Sequence, residues 1–328
     1  MSSLAPGNIL QGAYWKYRIL DPIKGDKTHL STVFKAEVIA DEDAHKTPKW
    51  AIIKVVSTSD LTAMENLGRE IQAYRLPAIA STKCFRKMYD MVGNSVIALE
   101  WLETTLAEVR YESTQCIPSL VVPILEAALN SCVFLEGHQY INTDYKSANI
   151  LLSGICSGSI TAKVGDLGLV VPIGDFYNVQ PYAMRAPEVF LGQACTGPSQ
   201  VWAIAAMLLC WIKPGVLGAH DCPDYFINDS WCVAKIKQLF PSWKIPSSDE
   251  LHSHVLKATV ESAQRLSQNI PELQAISPFN EEMKNIDIPQ QLRDLLRFML
   301  APNLVERPSA SCVLSSREFR ELKKLCLN

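Results

Sequence analysis

No surplus of either charge sign marks this sequence. Its 31 Lys and Arg against 34 Asp and Glu leave a formal net charge of −3 at pH 7. With both signs interspersed there is no electrostatic footprint of a nucleic-acid binder or of a protein held on an anionic membrane, and neither partner is expected. Paired cysteines are missing too. The ten cysteines include no Cys-x-x-Cys and no Cys/His cluster, and most sit beside apolar neighbours, as in LNSCVFL and MLLCWI. That predicts buried reduced thiols in an intracellular protein (cytoplasm or nucleus), not disulfides or zinc ligands. The opening stretch, MSSLAPGNILQG, has no basic region followed by an apolar core, so no secretory leader is expected. The longest apolar runs, 201–212 and 119–135, are too short or too interrupted (Glu126, Asn130) to be expected across a bilayer, and read as buried helices. Internal repeats and low-complexity tracts are absent. What remains is a globular chain, 48% apolar over 328 residues, with enough apolar surface for one large domain or two lobes.

The chain divides into two parts. Within residues 17–56, YRILDPI, STVFKAEVIA and KWAIIKVV are rich in β-branched and aromatic residues and separated by polar or Gly/Pro-containing turns, which predicts strands. DEDAHKTPK, between the last two, predicts a solvated loop. STSDLTAMENLGREIQAYRL has capping-type residues at its start and Leu67, Ile71 and Tyr74 at helical spacing, which predicts one prominent helix. MYDMVGNSVIALEWL predicts a hairpin around Gly93-Asn94. From about Leu106 the pattern changes, and SLVVPILEAALNSCVFLE, VWAIAAMLLCWI, SHVLKATVESAQRLSQ and QQLRDLLRFML predict helices. A small β-rich part, a larger helical part and a polar loop just past their junction point to a ligand in the cleft between them.

That polar loop is INTDYKSANILL, residues 141–152. Asp144 can accept a proton or orient a hydroxyl, Lys146 can neutralise a phosphate, and Asn149 can offer an amide oxygen to a hard cation. Downstream, KVGDLGLV places Asp166 in a Gly-flanked turn after a strand-like segment, where a carboxylate can ligate magnesium. Upstream, WAIIKVV puts Lys54 in a strand, where a charge is poorly tolerated unless paired, and Glu70 of GREIQAYR is the candidate partner. Taken singly, Lys54 could be a surface lysine on an edge strand, DLG a plain turn and ERPSA a helix start.

Together and in order, AIIK, REIQAYR, NTDYKSAN, DLG, RAPEV and ERPSA resemble the motif series of eukaryotic protein kinases over roughly residues 17–325. The resemblance implies an α+β bilobal protein kinase fold, with a small β-rich N-lobe carrying one helix (about 17–102) and a larger α-helical C-lobe (about 103–325), in one domain spanning 1–328. It implies ATP and Mg2+ as cofactors, with Lys54 on the α/β-phosphates and paired to Glu70. Asp144 would be the catalytic base, Lys146 would steady the γ-phosphate, and Asn149 and Asp166 would bind the metal. Glu100 to Leu102, after Leu99 at the gatekeeper place, would form the hinge that hydrogen-bonds adenine. Gly25, Val33, Ile52 and Leu151 would complete the nucleotide site. Lys146 resembles the serine/threonine kinases. A monomer with a protein substrate is expected.

The departures from that pattern are specific. Asn142 and Thr143 stand where the family has His-Arg, so the arginine that receives an activation-loop phosphate is missing. Between Asp166 and Ala186 there is no Ser or Thr, only Tyr177 and Tyr182, with Pro181 at the place of the substrate-loop threonine, and phosphorylation-switched ordering is not expected. Gln200 replaces the helix aspartate that anchors the catalytic loop. IKGDKTHLSTVF offers only Gly25 where the family places about three glycines, and Ile52 replaces a small alanine. Three functions fit: an active serine/threonine kinase, a pseudokinase acting as a binding or scaffolding module, or a small-metabolite phosphotransferase, the last disfavoured by RAPEV and ERPSA.

Overall fold

The computed structural model describes residues 4–23, 31–39, 47–112, 117–174, 179–251 and 253–326. Gly25, His29, Tyr177 and most of the predicted 41–49 loop lie outside these residues. The first lobe is an antiparallel six-stranded sheet of β1 (Ile9–Gln11), β2 (Lys16–Pro22), β3 (Ser31–Ile39), β4 (Trp50–Val56), β5 (Met88–Val92) and β6 (Val96–Glu100). Their spatial order is β1-β2-β3-β4-β6-β5. The three predicted strands are β2 to β4, and the predicted hairpin is β5–β6, turning at Gly93 with φ +67°, a left-handed conformation that glycine adopts without a Cβ clash.

Alternation along β4 decides which face Lys54 takes. Ala51 and Ile53 share an apolar cluster with Tyr17, Ile19, Phe34 and Ala36, whereas Ile52 and Val56 belong to the larger cluster on the other face. Lys54 therefore points to the same face as Ile52. On that face lies α1 (Leu61–Tyr74), capped by Asp60, whose Oδ1 accepts from Ala63 N at 2.9 Å. Its buried stripe of Ala63, Leu67, Glu70, Ile71 and Tyr74 follows the helical period, with one charged member.

The second lobe begins with β7 (Thr104–Thr105) and α2 (Ile117–Gly137) and continues through β8 (Tyr140–Asn142), β9 (Ile150–Ser153), β10 (Thr161–Val164) and β11 (Val170–Pro172). These strands form two small sheets, β10-β9-β7 and β11-β8. Then come α3 (Pro187–Phe190), α4 (Gly197–Ile212), α5 (Asn228–Leu239), α6 (His254–Asn269), α7 (Pro271–Gln274), α8 (Phe279–Lys284), α9 (Gln290–Met299), α10 (Ala310–Ser315) and α11 (Arg317–Lys324). The architecture is bilobal α+β. By length and composition α2 is apolar enough to cross a bilayer, against the expectation drawn from its interruptions. Its apolarity has another cause, because most of its residues are buried against β8, β10, α4 and α10. In α4, Trp202 is fully buried as expected of a core residue, whereas Trp211 is half-buried and donates its indole N–H to the Val109 carbonyl at 2.6 Å.

One ion pair ties the distant ends of this lobe. Arg307 Nη1 and Nη2 meet Glu188 Oε1 and Oε2 at 2.7 and 2.8 Å, both side chains almost wholly buried. Ser199 donates to Glu188 Oε1 at 2.6 Å, and Arg307 Nε donates to the Ala301 carbonyl at 2.8 Å. The bidentate geometry satisfies both groups away from water. Removing one partner strands the other charge, so Arg307→Ala is expected to cost about 3–5 kcal/mol. A urea-unfolding midpoint unchanged by that substitution would contradict it, and Glu188→Gln in the same background should recover part of the loss.

Candidate active site

Two strand pairs bring the polar segments together. β8 pairs with β11, Asn142 opposite Val170, and β9 pairs with β10, Ile150 opposite Val164. The loops 143–149 and 165–169 therefore both cross from one small sheet to the other. In the first loop Asp144 is 7% exposed. Its Oδ2 accepts from Asn149 Nδ2 at 2.9 Å and faces Lys146 Nζ at 3.2 Å. Its backbone N–H donates to Asn142 Oδ1 at 2.9 Å, a local turn that an Asn side chain makes readily. Asn142 in turn donates its backbone N–H to Gln200 Oε1 of α4 at 2.8 Å. Burial pushes the Asp144 carboxyl above the ordinary aspartate range, Lys146 pulls it back in part, and nearby Asp166 adds to the rise.

Lys54 reaches across to the second loop. Its Nζ lies 2.7 Å from Glu70 Oε2 and 3.0 Å from Asp166 Oδ1. Burial disfavours the Lys54 ammonium, but the carboxylates of Glu70 and Asp166 outweigh it and hold the amine above its ordinary range. Complete burial pushes Glu70 up against the pull of Lys54. Asp166 has φ +51°, uncommon for a residue with a side chain. Its Oδ1 also accepts from Gly168 N at 3.2 Å.

Six of the expected residues, Lys54, Glu70, Asp144, Lys146, Asn149 and Asp166, are thus joined by ion pairs and hydrogen bonds into two linked groups at one cleft. A cavity of about 610 Å3, including its open mouth, is lined by Ser31, Lys54, Val56, Ala63, Asn66, Leu67, Asp144, Lys146, Asp166, Gly168 and Leu169. Among the described residues its lining does not include Val33, Ile52, Glu100, Leu102 or Leu151. Val33 stands opposite Lys54 in the ladder, and Ile52 stands opposite Leu99. Ile52, Leu102 and Leu151 are buried, at 4%, 7% and 8% exposure. Glu100 is committed elsewhere: both carboxylate oxygens lie 2.7 Å from Lys163 Nζ, and its backbone carbonyl accepts from Arg86 Nε at 2.8 Å.

The chain is similar in sequence to several protein kinases. No protein-family model matches it. It is 25% identical to the Dictyostelium discoideum protein named "Probable cyclin-dependent kinase 8" over 311 residues, 86% of this chain and 77% of that protein. It is 33% identical to the stress-activated protein kinase JNK of Drosophila melanogaster over 81 residues, 24% of this chain and 21% of that one. It is 30% identical to the serine/threonine-protein kinase srb10 of Schizosaccharomyces pombe over 129 residues, 35% of this chain and 34% of that one. The last two matches span about a fifth and a third of those relatives' lengths. The chain has a eukaryotic protein-kinase-like fold.

Three charged residues that hold the segments around the cleft, Arg69, Arg86 and Lys163, were not expected to do so from the sequence. Lys163 carried the signal that exposed Lys54, a lysine inside an apolar strand (TAKV), and it is indeed paired and 8% exposed. Arg86 and Arg69 carried none, because a lone arginine in a mixed segment reads as surface. Burial lowers the Arg86 guanidinium from its ordinary value.

Ile52 occupies space on the cleft face beside Lys54. Ile52→Ala is expected to tighten magnesium–ATP binding, measured by calorimetric titration, while lowering Tm through the cavity it leaves. Weaker binding would show that the side chain packs on the base instead of blocking it.

Proposed function

We propose that the chain is an ATP- and magnesium-dependent protein kinase that transfers the γ-phosphoryl group to serine or threonine hydroxyls, with residues 1–328 acting as one bilobal kinase-like domain inside the cell. The observation that carries this reading is the Lys54 ammonium shared between Glu70 and Asp166, with Asp144, Lys146 and Asn149 at the same cleft. The donor set suits the groups it implies. Asn149 turns its amide nitrogen to Asp144, so its oxygen is the end left for a hard cation, and Asp166 supplies a carboxylate. Two lysines supply positive charge for phosphate oxygens. Magnesium, when bound, would neutralise phosphate charge.

Each side chain then has one task. Lys54 orients and neutralises the nucleotide phosphates, held in place by Glu70. Asp144 accepts the hydroxyl hydrogen bond and, as the nucleophile forms, its proton. Lys146 offsets negative charge beside Asp144 and steadies the transferred group. The raised Asp144 carboxyl is a better proton acceptor than an exposed aspartate. A second reading, a pseudokinase that binds or scaffolds, is favoured by one feature: Ile52, Leu102 and Leu151 are buried and absent from the cavity lining.

Asp144→Asn is expected to leave magnesium–ATP binding nearly intact while lowering transfer by about 10²–10⁴-fold, the usual scale of a general base. Asp166→Asn should remove both binding and transfer. Transfer by wild type that survives Asp144→Asn undiminished would defeat the assignment, and no transfer by wild type to itself or to a peptide array would favour the pseudokinase. The pH profile has a definite sign. The base works ionised, and its pKa is raised, so activity should fall with acidification at a pH above the ordinary aspartate range. Lys146→Met removes a charge that lowers that pKa, so it should move the acid limb to higher pH. A limb that moves down would show that Lys146 does not act on Asp144.

A further inference from the structure

Asp166 adopts a left-handed backbone although it is not glycine, and such a conformation persists only where the surroundings over-determine it. Three of the four peptide units that follow it are caught. Leu167 N donates to Glu70 Oε1 at 3.4 Å, and the Leu167 side chain is fully buried. The Gly168 carbonyl accepts from Arg69 Nε at 3.0 Å, and Arg69 is itself oriented by Asn66 Oδ1. The Leu169 carbonyl accepts twice from Thr143, from its backbone N–H at 3.2 Å and from its hydroxyl at 3.0 Å. A side chain at Gly168 would be crowded, since a Cβ there would lie 3.2 Å from the Asn66 carbonyl and from Asp166 Oδ1.

We propose that Arg69 and Thr143 are positioning residues for Asp166, which with Glu70 clamp three of the four peptide units after it so that the carboxylate is presented to the cleft without any charge being added to the segment. This rests on the phosphotransferase reading for its consequence, though not for its geometry. Thr143 is 4% exposed, so its hydroxyl bond does not compete with bulk water. Arg69 donates from a charged group, the stronger class of hydrogen bond. No added charge is needed because all three holders are side chains of this chain, two from α1 and one from the loop that carries Asp144. Loosening either holder should therefore act on the metal-side aspartate before it acts on the fold.

The test is hydrogen exchange of the full chain without nucleotide, followed at amides 167–171. Loss of one net hydrogen bond to a neutral or charged donor implies roughly fivefold faster exchange in Thr143→Val and about tenfold or more in Arg69→Met. Thr143→Ser, which keeps the hydroxyl, should exchange like wild type. The same two disabling variants should weaken magnesium–ATP binding by similar factors. If Arg69→Met does not fold, Arg69→Lys, which keeps the charge but not the planar Nε donor, carries the arm. Unchanged exchange in both disabling variants, or Thr143→Ser exchanging as fast as Thr143→Val, overturns the proposal. An inactive wild type with faster exchange in the variants would sink the kinase reading and leave the clamp standing. An active wild type with unchanged exchange would do the reverse.

Discussion

A single ammonium meets carboxylates from two other segments. Lys54 comes from β4, Glu70 from α1 and Asp166 from the loop between β10 and β11, all within 3.0 Å. Glu70 is fully buried, and an unpaired carboxylate there would cost several kcal/mol, on the order of 3–5 when a buried pair is broken. The pair therefore acts less as a source of stability than as a constraint. If α1 rolls off the sheet, Glu70 loses its cation, and if Asp166 swings out, Lys54 loses half of its compensation. A slip of one residue in β4 would send Lys54 into the cluster of Tyr17 and Ile19, where no carboxylate waits. Strand register, helix seat and loop position are thus fixed against one another.

The loop that carries Asp144 is anchored by amides instead of charge. Gln200 Oε1 accepts from Asn142 N, and Asn142 Oδ1 accepts from Asp144 N. An amide has one acceptor end, and its other end must donate. Among the described residues the nitrogens Gln200 Nε2 and Asn142 Nδ2 are buried without a hydrogen-bond partner, a cost that a carboxylate at 200 would not incur at that atom. The exchange lowers charge at the base of the loop and so spares desolvation of another carboxylate close to Asp144, whose own pKa burial already raises.

Much of this was legible in residue order and little in residue type. The strands 17–56, the helix ending near Tyr74 and the apolar helices of the second lobe follow directly from side-chain period, because each buries one face. The Lys54–Glu70 contact was readable because a charge inside an apolar run demands a partner, whereas Glu188 and Arg307 stand in polar, Pro-containing contexts where nothing in the run itself calls for a pair. The two small sheets were not separately predicted: β8 and β11 are three residues each, too short for any period, and form because tertiary pairing across the loops supplies their hydrogen bonds. Arg69 was silent for a related reason, and Thr143 stood out only as a departure from the family pattern. Their partners are backbone carbonyls, which every sequence has, so nothing in the one-dimensional text distinguishes a carbonyl that is held.

The two ends of the cleft are therefore prepared differently. At the end lined by Lys54, Asp144, Lys146 and Asp166 each of these side chains already has a hydrogen bond or ion pair, so charge is held in place before any ligand arrives. At the hinge end Glu100 is bound to Lys163 of β10, and Arg86, whose own N–H donates to the Val164 carbonyl, holds the Glu100 carbonyl. Those bonds join the last strand of the first lobe to a strand of the second immediately beside the connection between them. A rotation of the lobes that widened the hinge would have to break a 2.7 Å ion pair whose lysine is 8% exposed. Opening is then easier at the end lined by Lys54 and Asp166, where the cavity already lies, than at the hinge. On the proposed kinase reading, a nucleotide entering such a cleft would meet its phosphate-side charges already in place and its base contacts still to be made.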